Sequence, residues 1–202
     1  MQVSAKTDYA LRAAAELAKA ASEGSGPLKG EKISDAQGIP KKFMENILHD
    51  LKRAGLVRTQ RGASGGYWLA LPPDEIWLAG IIRAVEGPLA NVRGEWPEAV
   101  EYTGAAEHLK DVWIAVRASM RTVLESVTLA DLVNGDLPDQ IVQLTSDPEA
   151  WVHHSLASTL PSVAFGAPRL RLRSRLLTFR ERSRRGLIFG VTVVTLPVFF
   201  TQ

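Results

Sequence analysis

Apolar positions recur at helical spacing along most of the chain and give way to short β-prone runs in one place. Residues 5–21 are alanine-rich, with Tyr9, Leu11 and Leu17 among small residues that permit close helix packing. A loop by composition follows, Ser22-Glu23-Gly24-Ser25-Gly26-Pro27. Leu28 to Gln37 reads as a short helix, with Gly38 as a hinge into a second helix that has Pro40 at its first position, where a missing N–H costs nothing. In that second helix Phe43, Met44, Ile47, Leu48 and Leu51 mark a face to be buried, opposite Lys41, Lys42, Glu45, Asn46, His49, Lys52 and Arg53. Gly55 stops it as a residue tolerant of left-handed geometry. Two strands are predicted next, Leu56 to Gln60 and Tyr67 to Leu71, joined by Arg61-Gly62-Ala63-Ser64-Gly65-Gly66 and closed by Pro72-Pro73. Gly65 and Gly66 are expected to supply backbone angles that other residues avoid. Two helices joined by a tight turn, with a β-hairpin behind them, make a helix-turn-helix with a wing.

Beyond the wing, Ile76 to Val85 resumes a helical pattern that Gly87-Pro88 ends, and Leu89 to Thr103 has no period. A helix is predicted over Ala105–Val127, where Leu109, Trp113, Val116, Met120, Val123 and Val127 alternate spacings of four and three, the a/d pattern of a seam between paired helices. Val112 and Leu124 widen the stripe. A stripe of this width also suits packing on its own domain. Length favours a dimer helix: a span of about 35 Å at 1.5 Å per residue suits two reading helices one DNA turn, about 34 Å, apart. Thr128-Leu129-Ala130-Asp131 is a capping signature for a short helix ending at Gly135, and Pro138 to Leu144 adds another. The fold class expected is mainly α with a small β-wing: a winged helix-turn-helix domain over 1–88, a loop over 89–104, a dimerisation helix and short helices over 105–154, and a tail over 155–202.

Charge divides the chain in the same way. Residues 29–70 hold eight Lys and Arg against four Asp and Glu, whereas residues 71–154 hold five against fourteen. The last 48 residues carry eight Arg and one Glu, so the basic pI of about 9.0 belongs mostly to the tail. The local excess over 29–70 is the better warrant for a nucleic-acid partner, because phosphates reward Lys and Arg by releasing counterions. A helix about 10–12 Å wide fits a major groove about 12 Å wide. Asn46 can offer adenine a donor and an acceptor together, and Arg61 at the wing tip suits a narrow minor groove. Lys41, Lys42, His49 and Ser64 complete the DNA-facing set. A lone surface lysine is usually only a solvated group; the helix, turn, wing and local charge together point to double-stranded DNA.

Cysteine is absent, which excludes disulfides, thiolate metal sites and thiol redox sensing within the chain. The N-terminal residues run directly into a charged helical pattern without a secretory signal, so a bacterial-type cytoplasmic location is expected. Gly62-Ala63-Ser64-Gly65-Gly66 satisfies the nucleophile-elbow pattern of serine hydrolases, but an elbow must open a helix, and the double proline at 72–73 forbids one. A protein-interaction module with a merely structural wing is the other alternative, its acidic middle serving a basic partner. In the tail, eight Arg between Arg169 and Arg185 precede a run of uncharged, mostly apolar residues from Gly186 to Phe200. The run is shorter than the ~17–25 residues that span a bilayer, so a membrane partner is not expected. Non-specific DNA affinity is the second reading of the tail, and a disordered or adventitious extension ranks first.

Residues 1–154 resemble the Rrf-type family of bacterial winged-helix regulators, the family of IscR, NsrR and CymR. The resemblance rests on residues 3–11 (VSAKTDYAL), 33–40 (ISDAQGIP), 51–57 (LKRAGLV), 61–67 (RGASGGY) and 81–87 (IIRAVEG). It implies a homodimer on a pseudo-palindromic operator, base contacts at the positions of Asn46 and Arg61, and Lys6 near the DNA backbone. It also implies a sensor loop before the long helix, where many members hold an iron–sulphur cluster through three cysteines. Here residues 89–106 contain none. His49 lies on the predicted reading helix, His108 at the start of the long helix, and His153 and His154 are adjacent residues that point apart on a helix. The expectation is a DNA-binding regulator without a cluster, metal or other cofactor, whose effector the sequence does not name.

Overall fold

The computed structural model describes residues 2–153; the readings of the tail lie outside the described residues. Helix α1 (Ala5–Ser22) starts at Ser4, whose Oγ accepts the Thr7 amide at 3.0 Å. Ala10, Ala13, Ala14, Leu17 and Ala18 are all buried. Their small side chains let the neighbouring helices α3 (Lys41–Arg53) and α4 (Leu78–Glu86) lie close against α1. Helix α2 (Gly30–Gln37) ends at Gly38, which takes the left-handed conformation (φ 64°) and turns the chain into α3. Pro40 stands one residue before the first helical position. At the far end of α3, Gly55 (φ 78°) makes the left-handed turn that the sequence predicts.

Strands β1 (Val57–Gln60) and β2 (Gly66–Leu69) form an antiparallel pair with Arg58 opposite Trp68 and Thr59 opposite Tyr67. Leu28 is not helical, contrary to expectation. It pairs with Tyr67 as a third, one-residue strand, the two exchanging backbone bonds of 2.9 and 2.8 Å. The wing is thereby tied to the segment that enters the helix-turn-helix. Gly65 and Gly66 also depart from expectation, since it is Gly62 that has the positive φ, 109°. They are glycine because a Cβ would lie 2.3 Å from the Gln60 carbonyl oxygen or 2.5 Å from that of Leu28.

Helix α5 (Leu109–Leu124) is shorter than the helix predicted over 105–127, because Gly104–Ala106 forms a separate 3-10 turn and the chain leaves the helix after Leu124. Val127, expected on the seam, is buried in the body instead: its carbonyl accepts the Leu78 amide at 3.0 Å, while the Leu129 amide donates to Ile76 at 2.9 Å. This backbone clasp holds helix α6 (Leu129–Asn134) to the body, where Leu129 is fully buried and α6 packs on α1. Thr128 and Asp131 form the expected capping box, and Gly135 ends the helix in the left-handed conformation. Helix α7 (Asp139–Ser146) follows Pro138. The core gathers Leu17, Ile33, Met44, Ile47, Leu48, Leu51, Ile76, Ile81 and Leu129. Phe43, expected inside, is 52% exposed and lies edge-on to Tyr9 at 6.2 Å, because it sits at the margin of the α3 stripe.

Candidate nucleic-acid interface

Helix α3 presents Lys42, Asn46, His49 and Arg53 in one exposed row, at offsets of four, seven and eleven residues that stack along a single helix face. The buried side, Met44, Ile47, Leu48 and Leu51, fixes the helix against rotation. Arg12 holds the turn that precedes it. Its Nε donates to the Gln37 side chain at 3.0 Å, its terminal nitrogens bond the Gln37 carbonyl and Asp8, and its guanidinium lies 5.6 Å from the Tyr9 ring centre. A cation on α1 thus ties down the end of α2 where the chain turns into α3, a role no local sequence signal announces.

The site residues fall in three places. Asn46, His49 and Lys42 are exposed on α3, and none carries a hydrogen bond or ion pair among the described residues. Arg61 and Ser64 are exposed at the wing tip, also without such partners. Lys41 and Lys6 are engaged. Lys41 pairs with Glu31 at 2.8 Å while remaining open to solvent. Lys6 pairs with Asp50 at 2.8 Å and donates to the Val85 carbonyl at 2.8 Å. Asp50 escaped the sequence reading, although an acid among Lys42, His49 and Arg53 on a basic helix face asks for a cation partner. Its carboxyl is held below the usual carboxylate range, first by the hydrogen bond from Lys6 and then, against the effect of burial, by the charges of Lys6, Arg53 and His49. Ser64 stands on a turn that leads into strand β2, not into a helix, so the elbow geometry is absent.

The stripe on α5 does not point away from the body. Trp113, Val116 and Met120, with Leu124, line one wall of an apolar groove of about 680 Å³. Val3, Thr7 and Leu11 of the α1 end, Ile82 of α4 and residues 88–93 make the remainder. The Trp113 indole N–H is buried there without an acceptor among the described residues. The segment before α5 is pinned to it by Arg117, which meets Glu98 at 2.6 Å and lies 5.9 Å from the Trp96 ring centre, while Pro97 and Val100 are buried beneath.

Residues 3–135 match the family model described as Rrf2, iron-dependent transcriptional regulator. The chain belongs to the Rrf2 family. A putative HTH-type transcriptional regulator of Mycobacterium tuberculosis, Rv1287, is 47% identical over 150 residues, covering 74% of this chain and 92% of its own. CymR of Bacillus subtilis is 37% identical over 134 residues, 66% of this chain and 91% of its own. Among solved structures, that of the B. subtilis CymR superposes with a TM-score of 0.56 at 36% identity, covering 66% of this chain and 97% of that one. IscR from T. potens gives 0.53 at 32% identity, covering 77% and 94%. The Rrf2 fold, a winged helix-turn-helix with a small two-stranded sheet, is therefore the fold of this chain, and its function is that of a DNA-binding transcriptional regulator, not an enzyme.

The iron of the family description does not fit the residues present. Iron–sulphur clusters are held by thiolates in nearly all sites, and this chain has no cysteine. In the segment before α5, Glu98 is already taken by Arg117, and no three His, Asp or Glu among the described residues converge to hold a metal. Nor is any helix among the described residues long and apolar enough to cross a membrane.

Proposed function

We propose that this Rrf2 protein acts in the bacterial cytoplasm as a homodimer that binds a pseudo-palindromic operator and represses by occupying it. The observation that carries this reading is the exposed row Lys42, Asn46, His49 and Arg53 on a helix locked from behind, the first three without side-chain partners among the described residues, with free Arg61 and Ser64 at the wing tip. Helix α3 enters the major groove, where Asn46 reads adenine through a donor and an acceptor, and Lys42 and Lys41 bind phosphate. Arg61 enters the neighbouring minor groove, where narrow width deepens the negative potential. A second copy covers the groove beside α5 and buries Trp113, Val116 and Met120, with Leu109 and Val123 extending the contact. The segment 89–104 stands where relatives with cysteines hold a cluster, and Arg117 fixes it in place.

The test is to select duplexes from a randomised pool with the full chain. Two inverted half-sites, with centres one helical turn or a multiple apart, are expected. Enrichment of single half-sites, or of no sequence, would sink the dimeric operator reading. A promoter carrying the selected site should fall silent in cells that express the protein.

A further inference from the structure

Lys6 belongs to the first turn of α1, yet its ammonium reaches two other helices. It lies 2.8 Å from the carboxylate of Asp50, in the middle of α3, and donates at 2.8 Å to the carbonyl of Val85, in the last turn of α4. That carbonyl is among those a helix leaves without an internal partner, and a cation is favoured at a helix C-terminus. Ser4, two residues before Lys6, bonds the side chain of Glu86, so the start of α1 grips the end of α4 at two neighbouring points. Asp50 is anchored to this grip while its other oxygen faces Arg53 at 3.4 Å. Lys6, Phe43, Asn46, Ile47, His49 and Asp50 line one recess, and Asp50 stands one helical turn from Asn46.

We infer that Lys6 is a positioning residue, which through Asp50 holds α3 at the angle from which Asn46 reaches the bases, and is not a phosphate contact. The inference rests on the operator-binding reading and opposes what family resemblance implies for this position. The chemistry favours it. Two of the three donors of the Lys6 ammonium are committed, one to Asp50 and one to the Val85 carbonyl, so Lys6 turns fully to a phosphate only by giving up both and leaving Asp50, whose side chain is 16% exposed, to Arg53 alone at 3.4 Å. That exchange gives up two bonds of 2.8 Å, one of them to a largely buried carboxylate, for one contact at the surface. A fixed pair leaves α3 with a set tilt and adds nothing to counterion release.

The two roles separate in the salt dependence of binding to a duplex selected by the wild-type chain and to a scrambled duplex of equal length. A phosphate contact predicts that Lys6→Met weakens both duplexes alike and flattens the salt slope by about one, and that Asp50→Asn, which frees Lys6 and removes an anion, tightens both. A positioning role predicts that Lys6→Met and Asp50→Asn each lower the preference for the selected duplex on the order of tenfold, the low end for a lost base contact. In the double variant, which removes both charges, scrambled binding and salt slope then stay as in the wild type, and preference falls no further than in the worse single one. An unchanged preference in Asp50→Asn overturns the inference even where Lys6→Met fails to fold. A wild-type chain that selects no sequence would instead bring down the operator reading itself.

Discussion

The carbonyl oxygen of Leu28 occupies the space that a side chain at Gly66 would need: a Cβ there would lie 2.5 Å from it. The two are close because Leu28 and Tyr67 exchange backbone bonds, which adds an edge to the wing. Gly66→Ala should force that edge away and lower stability by about 1–3 kcal/mol, the usual cost of overpacking. Urea denaturation checks this, and DNA affinity should fall with it as the wing loosens. An unchanged midpoint would mean that the Leu28 edge yields freely.

Base reading and phosphate binding should part company on α3. Asn46→Ala is expected to relax preference at one base pair per half-site, by roughly 1–3 kcal/mol. Lys42→Ala should weaken all duplexes about equally and reduce the salt slope by about one. Titrations against the selected duplex and its single-base variants, at several salt concentrations, distinguish them; binding unchanged in both variants would show that another face reads DNA.

Trp113→Glu puts a carboxylate into the groove beside α5. The expected product is a folded monomer at micromolar concentration by light scattering, binding one half-site weakly. A variant that remains dimeric would place the pairing surface elsewhere.

Acid should reveal the Asp50 pair. Its folded carboxyl titrates below the ordinary value of about 3.9, chiefly because Lys6 donates to it. As pH falls the unfolded chain takes up this proton first, so the stabilisation is complete above about pH 4 and disappears as pH drops through the folded value. Asp50→Asn should therefore be less stable than the wild type near neutrality, with the gap narrowing in acid. Urea melts at neutral pH and at about pH 3 test the sign; a gap that widens in acid would contradict it.

The helix-turn-helix and helix α6 were legible because their signals are local: the spacing from Met44 to Leu51, Gly38 and Gly55 at left-handed turns, and the Thr128–Asp131 box. What the sequence hid depends on residues far apart in the chain. Leu28 reads as the start of a helix until Tyr67 is known to lie beside it. Val127 continues a heptad that the chain has already left, since spacing does not say where a helix stops, and Glu125 ends this one while pairing with Arg121 and Arg83. Phe43 shows that the edge of an apolar stripe need not be buried. The exposed polar row on α3 was readable as a face, but the engagement of Lys6 with Asp50 and of Arg12 with Gln37 was not, because each joins helices distant in sequence.

The backbone clasp between residues 76–78 and 127–129 makes the DNA-reading part of this protein discontinuous in sequence. Leu129 fills its interior and Val127 is buried beside it although both follow α5, so residues 87–126 are an insertion between two parts of one body. A gene fragment ending at Pro88 would thus encode a head with a hole in its core, not a minimal monomeric reader. Truncation is therefore the wrong tool for testing the proposed pairing on α5; exchanges on the surface of that helix, or a short bridge spliced across residues 87–126, leave the head whole.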